Sequence, residues 1–129
     1  AGIEQLKKFA NFLKIRKENA LQFQKLFSNN KDYIIQKEIG KSSWFAFSFI
    51  TKNSSISNFR KLIKILEKLR IDYRPIISGN FAKKIVAKKF FKIKTKSLKN
   101  ANYIDKYGLM IGNNPIKIKS ILTKLSKLL

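Results

Sequence analysis

The sequence predicts a mixed α/β or α+β domain, in which a small mixed or antiparallel sheet packs on about four helices. Residues 43–50 are an aromatic-rich run typical of a strand, and other segments repeat apolar residues at the three- and four-residue spacing of helices. The 129 residues contain no internal repeat and no linker rich in Gly, Pro or Ser. The chain is therefore predicted to fold as a single domain, residues 1–129, with a core of its own.

The first predicted element is a long helix from Ile3 to about Phe27, which Asn29-Asn30 ends. Its apolar residues mark one face: Leu6, Phe9, Leu13, Ala20, Phe23 and Phe27. We interpret this face as part of the core and the polar face as solvated surface. The alternative is a basic amphipathic helix that lies on a membrane. Residues 33–39 are short, partly apolar and ambiguous.

The next predicted element is a strand over residues 43–50. Alternation places Phe45, Phe47 and Phe49 on one face and Trp44, Ala46, Ser48 and Ile50 on the other. Because this is the most hydrophobic strand, we expect it in the core. Aromatic residues beside lysines also suit a base-stacking platform for single-stranded nucleic acid, which is the alternative.

A turn at residues 52–55 precedes a helix, capped by Ser57 or a neighbour, that runs through Arg70. Residues 71–77 then read as a second strand of the same sheet, or as an antiparallel one if another strand lies between the two. Pro75 lacks an amide hydrogen, so we expect this strand to lie at a sheet edge or to finish there. Gly79 and Asn80 follow as a sharp turn.

The C-terminal third is predicted from weaker signals. Residues 82–96 read as a lysine-rich loop anchored by Phe90 and Phe91. Ser97 is predicted to cap a helix over residues 98–107 that Gly108 ends, and residues 109–113 read as a third strand. Pro115 is predicted in the first turn of a last helix, which continues to Leu129.

The composition excludes several kinds of chemistry. Without His or Cys, the chain cannot build the usual zinc sites or Ser-His and Cys-His catalytic pairs. Only seven acidic residues are present, and no nucleotide-binding glycine loop occurs. There is no apolar run of transmembrane length and no signal-peptide pattern, so we expect a cytoplasmic protein. The chain begins at Ala1-Gly2 rather than Met, as expected for an excised piece.

The net charge of +22 suggests a polyanionic partner such as nucleic acid or an anionic membrane. However, only four of the 29 basic residues are Arg, whereas planar recognition of phosphates and bases favours Arg. The joint abundance of Ile, Asn, Phe and Lys, which have A/T-rich codons, indicates genome composition as the main cause. A small basic nucleic-acid-binding protein is kept as the alternative function.

Arg74 is the candidate ligand-binding residue. A guanidinium at the end of a strand, near the Gly79-Asn80 turn, suits bidentate capture of a carboxylate or phosphate. The alternative is a surface arginine that pairs with Asp72 or with a backbone carbonyl.

Three segments, taken together and in order, carry a family resemblance: residues 44–47 (WFAF), 71–81 (IDYRPIISGNF) and 100–113 (NANYIDKYGLMIGN). They resemble the C-terminal domain of the DegT/DnrJ/EryC1/StrS sugar aminotransferase family, and the similarity spans roughly Lys8 to the C-terminus. The second and third segments are most similar to the branch of nucleotide-sugar 3-dehydratases, which remove the sugar C3 hydroxyl.

The resemblance implies the small C-terminal domain of a fold-type I enzyme that uses pyridoxal phosphate (PLP). Such enzymes act on nucleotide-linked keto sugars for deoxysugar and lipopolysaccharide biosynthesis, normally as homodimers. It implies that the PLP site and the catalytic residues belong to a large N-terminal domain absent from these residues, so the isolated chain should be inactive.

The resemblance also implies the site residues. Arg74 and Asn80 match the Arg-Pro and Gly-Asn positions of the family, which makes them candidates to contact an anionic or hydroxyl group of the substrate. Asn113, at the second Gly-Asn position, is a third. Asn114-Pro115 depart from the branch pattern, which leaves the sugar and the choice between transamination and dehydration open.

Overall fold

The computed structural model describes residues 2–92 and 97–129. These residues form five α-helices and four strands in the order α1 (Gly2–Phe27), β1 (Tyr33–Ile35), β2 (Ala46–Thr51), α2 (Ile56–Lys68), β3 (Tyr73–Arg74), α3 (Ile85–Phe90), α4 (Lys99–Tyr107), β4 (Gly108–Gly112) and α5 (Lys119–Leu128). The predicted α+β class is confirmed.

The four strands form one antiparallel sheet in the order β1-β2-β4-β3. The last strand of the chain, β4, lies between β2 and β3 and pairs with both. The two predicted strands joined by α2 therefore share a sheet without pairing directly. The expected intervening strand is present, but the antiparallel orientation expected with it is wrong: β2 and β3 are parallel to each other, because each is antiparallel to β4. β3 lies at the edge, as Pro75 indicated.

The core lies on one face of the sheet. Phe47 and Phe49 of β2 are fully buried, and α1, α2 and α5 supply side chains opposite them. Phe23 of α1 stacks on Phe47 with the ring centroids 4.3 Å apart. Because these rings have no exposed face, the aromatic strand is core and not a base-stacking platform.

Phe45 departs from the predicted alternation and is 69% exposed. The strand begins only at Ala46, and Trp44 has a positive φ of 51°, so the chain turns before the pleat starts. Trp44 is consequently the buried residue and contacts Phe47, with the ring centroids 6.1 Å apart.

Helix α1 has the predicted bounds, but its apolar stripe divides into two parts. Ala20, Phe23 and Phe27 are buried, whereas Leu6 and Phe9 are 71% and 56% exposed. The N-terminal part of the helix extends past the end of the core. Because Phe23 and Phe27 are buried, the C-terminal part of this stripe cannot lie on a membrane without unfolding the domain. No helix among the described residues is long and apolar enough to cross a bilayer.

Helix α2 ends in a Schellman motif, after which the chain continues into β3. Ile71 N–H donates to the Leu66 carbonyl at 2.9 Å, and Arg70 N–H donates to the Glu67 carbonyl at 3.0 Å. Arg70 has the left-handed conformation that this motif requires, with φ of 55°. At the other end of α2 the cap is Ser55, whose side chain accepts from Asn58 N–H.

Three predictions in the C-terminal third need correction. Residues 82–92 contain a helical turn and α3 rather than a loop, and the buried anchor there is Ala87, since Phe90 and Phe91 are exposed. The remainder of that predicted loop, residues 93–96, lies outside the described residues. Pro115 precedes α5 by four residues instead of starting it, because the chain first bonds to α1.

Candidate functional site

Arg74 lies on the edge strand β3, opposite Met110 of β4. Its side chain is exposed, and within residues 2–92 and 97–129 it makes no hydrogen bond or ion pair. Among the described residues, Arg74 does not form the ion pair with Asp72 that was the predicted alternative. The guanidinium is therefore free to bind a carboxylate or phosphate that approaches this edge.

A strained turn follows β3. Gly79 N–H donates to the Ile76 carbonyl at 3.0 Å, and Ile77 and Gly79 have positive φ angles of 56° and 69°. For a β-branched residue such as Ile77 this conformation is unfavourable, so tertiary contacts must hold it. Any other residue at position 79 would be unfavourable, since its Cβ atom would overlap a carboxylate oxygen of Asp105.

The contacts that hold this turn come from α4. Asp105 Oδ1 accepts from Asn80 N–H at 2.9 Å, and Asn80 Nδ2 donates to Asn102 Oδ1 at 2.8 Å. Asn80 Oδ1 accepts from Ala82 N–H at 3.1 Å and caps the helical turn at residues 81–83. Asn80 is 5% exposed, so its side chain is structural as well as a predicted substrate contact.

Asp105 is the charged centre of this arrangement. Its Oδ2 pairs with Lys83 Nζ at 3.2 Å. The Asn80 backbone N–H, followed by the Lys83 ammonium, holds the pKa of the Asp105 carboxyl below its ordinary value. The turn is thus tied to α4 by an ionised carboxylate.

Asn113 belongs to a separate buried cluster beyond the end of β4. Its Nδ2 donates to the carbonyls of Trp44 and Arg16 at 2.8 and 3.0 Å, and its Oδ1 accepts from Asn19 Nδ2 at 3.0 Å. Asn19 Nδ2 also donates to the Ile116 carbonyl at 2.7 Å. Both asparagines are almost fully buried, and they join α1, the bend before β2 and the segment before α5.

The structure therefore places the three predicted site residues in two different settings. Arg74 and Asn80 flank one strained turn beside α4, whereas Asn113 is enclosed on the α1 side of the sheet. Asn102 and Asp105 were not predicted as site residues, because Asp105 reads as a surface acid among lysines. Their three-residue spacing on a predicted helix was the available signal, since it places both side chains on one face.

A shallow groove elsewhere on the surface has a different lining. It has a volume of about 230 Å³ and runs between α1 and the bend at residues 38–44, with Lys17, Gln24, Glu38 and Trp44 in its walls. Arg74 and Asn80 do not line it. A ligand bound at Arg74 would therefore lie outside this groove.

Comparison with known proteins gives the class. The sequence model of the DegT/DnrJ/EryC1/StrS aminotransferase family matches residues 1–115. The chain belongs to this family.

Several of the proteins that it matches are sugar dehydratases. The GDP-4-keto-6-deoxy-D-mannose 3-dehydratase of Yersinia pseudotuberculosis is 42% identical over 129 residues, which are 99% of this chain and 33% of the relative. The Escherichia coli enzyme, solved with bound hydrated PLP, is 39% identical with a TM-score of 0.91 over 99% of this chain and 33% of that one. A mutant GDP-4-keto-6-deoxymannose-3-dehydratase with bound GDP-perosamine has a TM-score of 0.90 and 39% identity, over 98% and 33% of the two chains. The chain spans about a third of the length of these relatives.

Proposed function

We propose that this chain is the substrate-cleft domain of a PLP-dependent enzyme that transaminates or 3-dehydrates a nucleotide-linked 4-keto sugar. The observation that carries the proposal is the likeness over nearly the whole chain to 3-dehydratases solved with PLP and with a GDP-sugar. A homodimer, a large PLP-binding domain and a cytoplasmic location belong to the same proposal, and they rest on the family.

The described residues do not offer a cradle for PLP. A lysine that forms a Schiff base with the PLP aldehyde needs a dry pocket, and the lysines of the described residues all lie at least partly in solvent. PLP, when bound, would supply an electron sink for carbanion chemistry, and we assign its site to the remaining two thirds of the enzyme. The isolated chain is therefore expected to be inactive.

Within this proposal Arg74 binds the substrate. It is exposed, unpaired in the described chain and presented at a sheet edge, so it suits a phosphate or hydroxyl oxygen of a nucleotide sugar. Asn80 and Asn113 remain predicted substrate contacts. Their hydrogen bonds support a role in shaping the wall, because each amide already has protein partners on both its oxygen and its nitrogen.

A chimera tests the function. The corresponding third of the E. coli dehydratase is replaced by this chain, which the TM-score of 0.91 makes a close geometric match. We expect the chimera to bind PLP and to turn over GDP-4-keto-6-deoxy-D-mannose, while the 129-residue chain alone does neither. Turnover by the isolated chain, or a folded chimera that takes up PLP but has no dehydratase or aminotransferase activity, contradicts the proposal.

Arg74→Ala in the chimera tests the residue. We expect kcat/KM to fall about 10- to 100-fold, since a hydrogen bond to a charged group contributes about 1.5–3 kcal/mol. Arg60→Ala, on the exposed surface of α2, removes the same charge and is expected to have no effect. Equal activity of the two variants rules out the substrate role of Arg74.

A further inference from the structure

Five large apolar side chains are exposed together just after the candidate site. Phe81, Ile85, Val86, Phe90 and Phe91 lie in one short segment and form what we call the 81–91 patch. The contacts that hold the patch together are short-range in sequence. The helical turn at residues 81–83 leads directly into α3, and the ring centroids of Phe81 and Phe91 are 6.2 Å apart. Phe90 and Phe91 are 68% and 59% exposed, whereas only Ala87 of α3 is buried. A cluster of exposed large apolar residues marks an interaction surface.

The charges around the patch restrict its partner. Residues 81–92 contain five lysines and no acidic residue: Lys83, Lys84, Lys88, Lys89 and Lys92. A complementary surface is therefore apolar at its centre and rimmed by carboxylates. A second copy of this chain is a poor fit, because two chains of charge +22 repel each other.

The patch is continuous with the candidate site. Phe81 follows Asn80 directly, and Asp105 of α4 holds both the Asn80 backbone and Lys83. Whatever covers the patch therefore lies beside the edge where Arg74 is exposed. The rest of the enzyme is the candidate for this position, since the chain spans only 33% of its relatives.

We propose that the 81–91 patch docks on an acid-rimmed apolar surface of the cofactor-bearing part of the same enzyme and so closes the cleft around Arg74. This proposal rests on the proposed function. The strained turn and its link to α4 fix the patch relative to Arg74, so that docking also sets the position of the guanidinium.

Hydroxyl-radical footprinting with mass spectrometry tests the docking. Oxidation of Phe81, Phe90 and Phe91 is measured in the isolated chain and in the folded chimera with the E. coli dehydratase. We expect it to fall several-fold in the chimera, while Phe45, which is equally exposed but lies at the bend before β2, serves as the internal reference. Unchanged oxidation of the three patch residues overturns the proposal, and so does protection in the isolated chain at high concentration, which would show a second copy on the patch.

Charge reversal tests the acidic rim. Lys88→Glu with Lys89→Glu should restore oxidation of the patch in the chimera without unfolding the isolated chain, because both lysines are exposed. Lys8→Glu with Lys14→Glu on α1 is the matched control and should leave the footprint protected. An unaltered footprint in the first variant contradicts the acidic rim.

A smaller graft guards against a chimera that fails to fold. Residues 77–92 alone replace their counterpart in the E. coli enzyme, and the same footprint is read with the same expected protection. These experiments distinguish failure of the docking proposal from failure of the proposed function. A chimera with turnover but an exposed patch leaves the proposed function intact, whereas a protected patch without turnover leaves the docking intact.

Discussion

At the scale of single residues, a few polar side chains join segments that are far apart in the sequence. Asn113 connects β4 to α1 and to the bend at Trp44, and Asp105 connects α4 to the turn after β3. Buried polar groups must find partners, so the cost of losing one of these side chains includes the groups left unpaired. The hydrogen bonds of Asp105 thus help to fix the turn that follows Arg74.

Asp105→Ala is predicted to lower the melting temperature by roughly 5 °C at neutral pH, the effect of losing about 1 kcal/mol of hydrogen bonding in a domain of this size. The folded-state pKa of Asp105 is depressed, so its stabilisation is present above the unfolded pKa of about 4 and is lost as the pH falls through the folded value. Thermal melts between neutral and acidic pH should show the gap to wild type closing in acid. Glu4→Ala, which removes an exposed ion pair with Lys7, should have little effect, and a gap that is constant with pH would disprove the assignment.

The sequence could identify these residues but not their partners. Asn80 and Asn113 stand out because each follows a glycine in a segment that resembles the family, and the free side chain of Arg74 matches its predicted place at a strand end. The bonds of Asn80 to Asn102, and of Asn113 to Asn19, depend on tertiary packing across 22 and 94 residues. Local patterns carry no information about contacts at such separations.

At the scale of elements, long periodic segments were predictable and short ones were not. The bounds of α1 and the strand character of β2 follow from repeated apolar positions. β3 consists only of Tyr73–Arg74, although the sequence predicted a strand over residues 71–77. α3 has six residues, which are too few for a helical spacing of apolar residues to be recognised in a lysine-rich segment. The alternation of apolar and polar residues also could not predict the positive φ of Trp44, which places Phe45 outside the strand.

The division of α1 into a packed and a projecting part gives an element-scale prediction. Phe23→Ala should cost about 3–5 kcal/mol, because it empties a fully buried site between Phe27, Phe47 and Phe49. Phe9→Ala, the same change about four turns closer to the N-terminus, should cost well under about 1 kcal/mol, since the side chain is mostly exposed. Urea unfolding of the two variants measures both values. Similar losses would mean that the N-terminal part of α1 packs on the domain in solution.

At the scale of the whole molecule, the main feature is a large excess of positive over negative charge. The chain has 29 basic and seven acidic residues, and the described part contains two ion pairs, both at the surface. Self-repulsion of this size opposes the compact state without changing the fold. It also gives the chain a general attraction for polyanions, which is distinct from a site and is weakened by salt.

Added salt is therefore predicted to stabilise the isolated chain. Raising the ionic strength from about 0.01 M to about 1 M shortens the Debye length from about 30 Å to about 3 Å, which screens lysines on separate helices from one another. We expect the melting temperature to rise by several degrees over this range. A variant with exposed lysines changed to glutamine, at Lys8, Lys14, Lys25 and Lys31, should start from a higher melting temperature at low salt and respond less. A flat salt dependence in the wild type would show that the positive charges are far enough apart to be neutral toward folding, and would leave the +22 to act only on partners.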